Sequence, residues 1–185
     1  MARSKSNTVI VYAKRIPIGK RNGILKNFKA HDLGATLIKS AMDESRFAVI
    51  DEVIMGNMIQ VSAEANDGVR PRSNPAQEAC IRAGYGVLRA HTVGRACSSA
   101  LQAVMDGDRA IRSGDCLSVL AGGMESMSNF FKEFIGLVLS DPRDLSPITQ
   151  VESFLHGFST AQAGEWCATI GNISRQDQND WAIKS

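Results

Sequence analysis

Apolar positions along this chain switch between an unbroken β-like spacing and a helical one, and the switches outline a series of strands and helices. Thr8 to Ala13 is a continuous apolar run rich in β-branched residues, which predicts a buried strand. Lys14 to Lys29 is basic and broken by glycine, so it reads as a loop. From Ala30 to Ser45, Leu33, Leu37, Ile38 and Ala41 recur at helical spacing and predict an amphipathic helix. Asp51 to Gly56 is a second short strand. Val61 to Ser73 is polar and aperiodic, as expected of an inserted loop. Asn74-Pro75 then offers an N-cap and a first-turn proline for a helix running to about Gly84.

The second half of the pattern is as regular at first. His91 to Val93 predicts a strand, and Cys97 to Ser113 a helix with Leu101, Val104 and Ile111 on one stripe, ended by Gly114. Cys116 to Ala121 is a further strand, running into Gly122-Gly123-Met124-Glu125. After Asn129 the pattern loosens, with helices expected only at Ala163 to Ile170 and Ser174 to Lys184. Ser174 followed by Asp177 resembles a capping box, although Glu or Gln is the usual partner. Strands alternating with helices predict a layered α/β domain with a largely parallel sheet.

Composition adds boundaries to this picture. At 185 residues and 44% apolar, the chain can bury a sizeable core, as one domain or a domain with an appendage. A formal net charge of +2, with scattered basic residues, points to neither a nucleic-acid nor a membrane surface. The small basic cluster at Arg70 and Arg72 reads as a solvated loop. Cys80, Cys97, Cys116 and Cys167 show no C-x-x-C or zinc spacing, and no secretory signal is evident. A reduced, intracellular compartment is therefore expected, and no apolar run approaches the ~20 residues that cross a bilayer.

The chemistry concentrates at Cys97, set where a strand gives way to a helix. The unpaired N–H groups of a helix N-terminus carry partial positive charge, which favours thiolate over thiol. A thiolate is a nucleophile able to hold an acyl group. Cysteine is also among the most buried residue types, so its position alone does not separate a nucleophile from a packing thiol.

Six segments in order decide between those readings: Ala13-Lys14-Arg15-Ile16-Pro17-Ile18-Gly19-Lys20, His31-Asp32-Leu33-Gly34-Ala35, Asp51 to Asn57, Cys97 to Val104, Ala121 to Asn129 and Ile173 to Gln178. Together they resemble the N-terminal half of a thiolase, the family that forms or cleaves acetoacetyl-CoA and longer 3-ketoacyl-CoA esters. The resemblance covers nearly the whole chain, weakly between Phe130 and Ala161. It implies a thiolase-like layered α-β-α half-domain with a mostly parallel mixed sheet over residues 1–129, and part of a substrate-covering loop domain over 130–185. It implies that Cys97 attacks an acyl-CoA thioester and holds the acyl group. His156 loosely resembles a family histidine on the loop over coenzyme A, whereas His31 and His91 lack a catalytic context. The Gly122-Gly123 turn is expected beside Cys97, packing backbone closely. Acyl-CoA is the implied substrate, with no resident cofactor or metal, and a homodimer or higher oligomer the implied assembly.

The departures from the family pattern sharpen the expectation. The family activates its nucleophile with a histidine in Gly-His-Pro and handles the α-proton with a cysteine in Cys-x-Gly; neither triplet occurs in this sequence. A complete thiolase is about twice this length, so full activity is expected to need residues from elsewhere, and this chain to be acylated slowly at most. Gly94 stands where asparagine is common and Ala100 where glycine is common, the latter implying strain in a close contact. The helix after Cys97 carries Asp106, Gly107 and Asp108 where relatives are mostly apolar or small. Gln102, Asp106 and Arg109 share one face of it, expected to be wet in the absence of a second half-domain. The primary expectation is a cytoplasmic thiolase-type acyltransferase, with mitochondrial or peroxisomal placement still open. The alternative is a non-catalytic half-thiolase that pairs with other subunits through the strand near His91 to Val93. Ketoacyl synthases are a third comparison, and the Gly-Gly-Met-Glu-Ser-Met-Ser run favours thiolase over them.

Overall fold

The computed structural model describes residues 8–44, 49–64, 68–71, 74–129 and 160–185. The chain divides into two compact units, Met1–Val138 and Leu139–Ser185. The first unit contains helix α1 (Ala30–Glu44), strands β1 (Glu52–Gly56), β2 (Val61–Glu64) and β3 (Gly68–Pro71), and helix α2 (Pro75–Arg82). Strand β4 (Arg89–Val93), helix α3 (Ser99–Ser113) and strand β5 (Val119–Gly123) complete it.

The sheet runs in the order β4-β1-β5 and all three strands are parallel, with Gly56 opposite both Val93 and Gly123 at one end. Side chains alternate across β1. Val53 and Met55 pack with Ala35 and Ile38 of α1, Ala76, Ala79 and Cys80 of α2, and Met124. Ile54 points to the opposite face, where α3 lies, and the domain is an α-β-α sandwich in α/β order. Gly34 fits α1 to this core, because a Cβ there would come within 2.4 Å of the Met124 sulfur.

Local chemistry explains the element ends. Asn74 caps α2 by accepting from the Gln77 N–H at 3.3 Å, with Pro75 in the first turn. Gly114, at φ 81°, ends α3. In the second unit, helix α4 spans Thr160–Ile170 and helix α5 Arg175–Lys184. Ser174 caps α5 in a full capping box, with Asp177 doing the work of the usual glutamate.

Four expectations are corrected. Thr8 to Ala13 forms no strand: neither described sheet edge pairs with it, and Val9, Ile10 and Val11 are exposed. Tyr12 bonds Ser40 of α1 at 3.3 Å, and Lys14, just after the run, pairs with Glu44. Val61 to Ser73 is not simply a loop, since β2 and β3 pair antiparallel from Val61↔Pro71 to Glu64↔Gly68. Strand β5 starts at Val119 rather than Cys116, because the Asp51 carboxylate takes the N–H groups of Leu117 and Ser118 at 2.7 and 3.0 Å. Finally, α3 buries Ser99, Ala103 and Gly107, whereas Leu101 and Val104 are exposed. Small residues face the sheet because the helix lies so close to it that a Cβ at Gly107 would stand 3.1 Å from Val119.

His31 is buried between the two helices of the larger core. Its Nε2 stands 3.5 Å from Glu78 and 3.8 Å from Asp32, and Arg82 bridges both carboxylates. Burial outweighs the carboxylates and holds the imidazole below its ordinary range, with Arg82 and Lys29 acting in the same direction. The neutral ring is therefore the folded form, and its contribution to stability is complete above about pH 6.5, the ordinary histidine value. That contribution is lost as pH falls through the lowered folded value, when the unfolded chain takes up the proton first. Denaturant midpoints at stepped pH are expected to decline on the acid side of 6.5, and His31→Gln to flatten that decline; an unchanged slope in the variant would contradict this account.

Candidate active site

Two glycines let the first turn of α3 sit directly on the strand ends. A Cβ at Gly56 would lie 2.4 Å from the Ala100 nitrogen and from the Ser99 carbonyl carbon. A Cβ at Gly123 would lie 2.6 Å from the Ala100 methyl and 3.3 Å from the Gly56 oxygen. Any side chain at either place would lift the helix off the sheet. The strain expected of Ala100 is therefore accommodated by the open space at Gly123; the expected double-glycine turn is instead the end of strand β5, with Gly123 facing this helix and Gly122 facing Met55.

The turn between β4 and α3 is held by Ser99. Its hydroxyl accepts from the Arg95 N–H at 2.8 Å and donates to the Ala96 carbonyl at 2.6 Å. The Ser98 N–H adds a bond to the Arg95 carbonyl at 3.0 Å. Ala96 takes a left-handed φ of 46°, a conformation that costs a non-glycine residue about 1–2 kcal/mol. Ser98 is the N-cap and makes no side-chain cap bond, so the helix begins two residues later than expected. Cys97 precedes the cap, is exposed, and is a free thiol. Its place at the head of α3 matches the sequence reading, one step further from the helical N–H groups.

The same edge carries a buried polar cluster that sequence reasoning reached only as a motif. Asn57, directly after β1, is 2% exposed. Its backbone N–H donates to Val93 at 3.0 Å, and its side chain donates to the Met124 carbonyl and to both oxygens of Glu125 at 3.2 Å. Glu125 also accepts from the N–H groups of Met58 at 3.1 Å, and of Ile59 and Ser126 at 3.3 Å. Burial raises its carboxyl above the ordinary range against the opposing pull of these donors. The Met124 N–H closes the edge with a 2.9 Å bond to Gly56. The readable signal was positional: Gly-Asn and Gly-Met-Glu both follow strands of one parallel sheet, where open α/β folds place their sites.

The remaining candidates fall elsewhere. His156 lies outside the described residues. His91 pairs with Glu52 at 3.2 Å, and His31 is enclosed in the helical core. Gly94 leaves room for Gln60, whose amide nitrogen stands 3.1 Å from where a Cβ would be. Asp106 is neither unpaired nor sealed: Gln102 and Arg109 donate to it at 2.7 and 2.8 Å, and 29% of its side chain is exposed. Arg95 extends this ladder by bonding Gln102.

The family described as thiolase, N-terminal domain, matches residues 8–185. An acetyl-CoA acetyltransferase of Escherichia coli (strain K12) is 40% identical over 189 residues, covering 97% of this chain and 46% of the relative. One from Yarrowia lipolytica is 34% identical over 183 residues, covering 95% and 44%. A probable acetyl-CoA acetyltransferase of Mycobacterium leprae is 37% identical over 194 residues, covering 97% and 46%. The chain thus spans a little under half the length of these curated relatives.

The glycine contacts set the expected outcome of a simple variant. Gly56→Ala forces a methyl into the α3 backbone and is expected to lower stability by about 1–3 kcal/mol, the usual range for overpacking. It is also expected to alter iodoacetamide labelling of Cys97 while Cys167 labels as before, read by peptide mass. A fully stable variant with unaltered Cys97 labelling would refute the tight-contact account.

Proposed function

The chain belongs to the thiolase family, and on that basis we propose that Cys97 accepts an acyl group from a coenzyme A thioester. The observation that carries the reading is an exposed, free thiol at the head of α3, above a glycine-cleared strand edge. In the step assigned to it, the Cys97 sulfur bonds to the thioester carbonyl carbon. The carbon–sulfur bond to coenzyme A then breaks, and coenzyme A leaves with the proton that Cys97 gave up. The acyl group remains on Cys97 as a new thioester, the half-reaction of a thiolase-type acyltransferase. Acetyl-CoA or a 3-ketoacyl-CoA is the substrate class, and coenzyme A enters as substrate with no resident cofactor required.

The names of the relatives, acetyl-CoA acetyltransferases, support this class of substrate, and two further properties belong to the same proposal. A reducing, cytoplasmic setting suits a chain with four free cysteines, one of them the nucleophile. Among the described residues, no helix is long and apolar enough to cross a membrane. Assembly as a homodimer or higher oligomer is the second property. One observation favours the interaction-module alternative, in which the chain serves to pair with other subunits: β4 is an edge strand, with β1 as its single strand neighbour among the described residues. His156 remains a proposed contact for coenzyme A on resemblance alone.

Intact mass after incubation with acetyl-CoA tests the primary reading. An acetyl increment is expected on the unmodified chain and none on Cys97→Ala. A folded chain that gains no acetyl group, yet sediments as a dimer, would replace the acyl-acceptor reading with the interaction module.

A further inference from the structure

Glu125 is a buried carboxylate at the strand edge that the proposed acyl transfer does not use. Its two oxygens receive five N–H contacts: from the Asn57 amide to each, from Met58 and Ile59 to one, and from Ser126 to the other. A carboxylate offers about four lone-pair sites, so none is left over for a substrate proton. All of these donors are neutral, and none of the described cations pairs with the group. The arrangement cannot do acid–base chemistry without being dismantled, and its whole capacity goes into holding backbone.

What it holds leads to the cysteine. Asn57 ties three strand ends together: it follows β1 directly, bonds Val93 at the end of β4, and bonds Met124 just beyond β5. Val93 is followed by Gly94, which lies against Gln60, and Gln60 bonds the Asn57 carbonyl at 3.4 Å. Gly94 opens the Arg95–Cys97 turn. We propose that Glu125 and Asn57 are positioning residues for Cys97, clasping the ends of β1, β4 and β5 so that the Val93–Gly94 exit delivers the cysteine turn in one place. The proposal rests on the reading of Cys97 as the acyl acceptor.

The test uses the full chain and two probes that need no coenzyme A. In Glu125→Gln, an NH2 donor replaces one of the two acceptor oxygens, so whichever way the amide turns, either Met58 and Ile59 or Ser126 meets a donor in place of an acceptor. The ratio of Cys97 to Cys167 alkylation by iodoacetamide is expected to change by about threefold or more, since a small misplacement of a reacting group has large rate effects. The backbone amide signals of Val93 and Gly94 are expected to move with it. A merely structural role would lower the melting point and leave that ratio and those signals unchanged, which would overturn the proposal. If the variant does not fold, acid titration of the unmodified chain decides. Met58 and Ile59 amides report protonation of Glu125, and Val93 and Gly94 should follow with the same midpoint; flat signals there would overturn the clasp. Gly94 is read rather than Arg95 because Arg95 bonds Gln102 and through it Asp106. Failure of the unmodified chain to take an acetyl group would sink the acyl-acceptor reading alone, because neither probe depends on acylation.

Discussion

The near-contact between the first turn of α3 and the ends of β1 and β5 governs the rest of the first unit. With a Cβ at Gly56 excluded by backbone atoms at 2.4 Å, the first turn of the helix rests directly on the backbone at the end of β1. Ser99, Ala103 and Gly107 then form the buried stripe, one turn after another, because nothing larger fits. The same approach fixes where the connection from β4 must arrive. Only a tight turn closes so short a gap, and it does so through a left-handed Ala96 stapled by the Ser99 hydroxyl. Strain of that kind persists where surrounding contacts over-determine the backbone, and the staple together with the two glycines does so here.

The two faces of the sheet divide the labour between them. Toward α1 and α2 the packing is conventional, with Val53, Met55, Ile38 and Cys80 excluding water from a continuous core. Toward α3 the interface contributes closeness more than apolar area, while Leu101, Val104 and Met105 remain exposed. Stability is thus drawn mainly from the face away from the cysteine. The two ends of the sheet divide in a similar way. At the start of β5, Asp51 absorbs two N–H groups and delays the strand; at the opposite end, Glu125 absorbs those of Met58 and Ile59 in the turn after β1. Side-chain carboxylates take over from the ladder at both margins, and only the second margin faces the thiol.

Much of this was legible in the residues, for reasons that also mark the limits. Helices with chemical punctuation were readable: Asn74-Pro75, Gly114 and Ser174 with Asp177 each satisfy or terminate specific N–H and C=O groups, whatever the tertiary setting. The location of Cys97 was readable because a strand, a short turn and a capped helix leave little freedom between them. Features set by neighbours were not. The apolar run at Thr8 to Ala13 has strand composition, but a strand exists only where an edge pairs with it. The α3 stripe was misassigned because hydropathy counts Leu101 and Val104 as core and gives little weight to Ala103 and Gly107. Closeness of approach carries no hydropathic signature. It is written in the small residues themselves, and they become informative only once the opposing glycines are known.

The polar ladder on α3 follows from the same trade. Aspartate in a helix against a sheet would be costly if sealed without a partner. Because the stripe that touches the sheet is so narrow, Asp106 stands beside it rather than beneath it, close enough to be partly covered and open enough to be paired by Gln102 and Arg109. Arg95, from the turn that carries Cys97, joins the ladder through Gln102. The turn is therefore gripped from two sides, by this ladder along the helix and by Asn57 at the strand ends. Neither grip buries the thiol. A nucleophile that must meet a substrate from solvent needs a fixed backbone and an uncovered side chain, and a helix seated on glycines supplies both without a deep pocket.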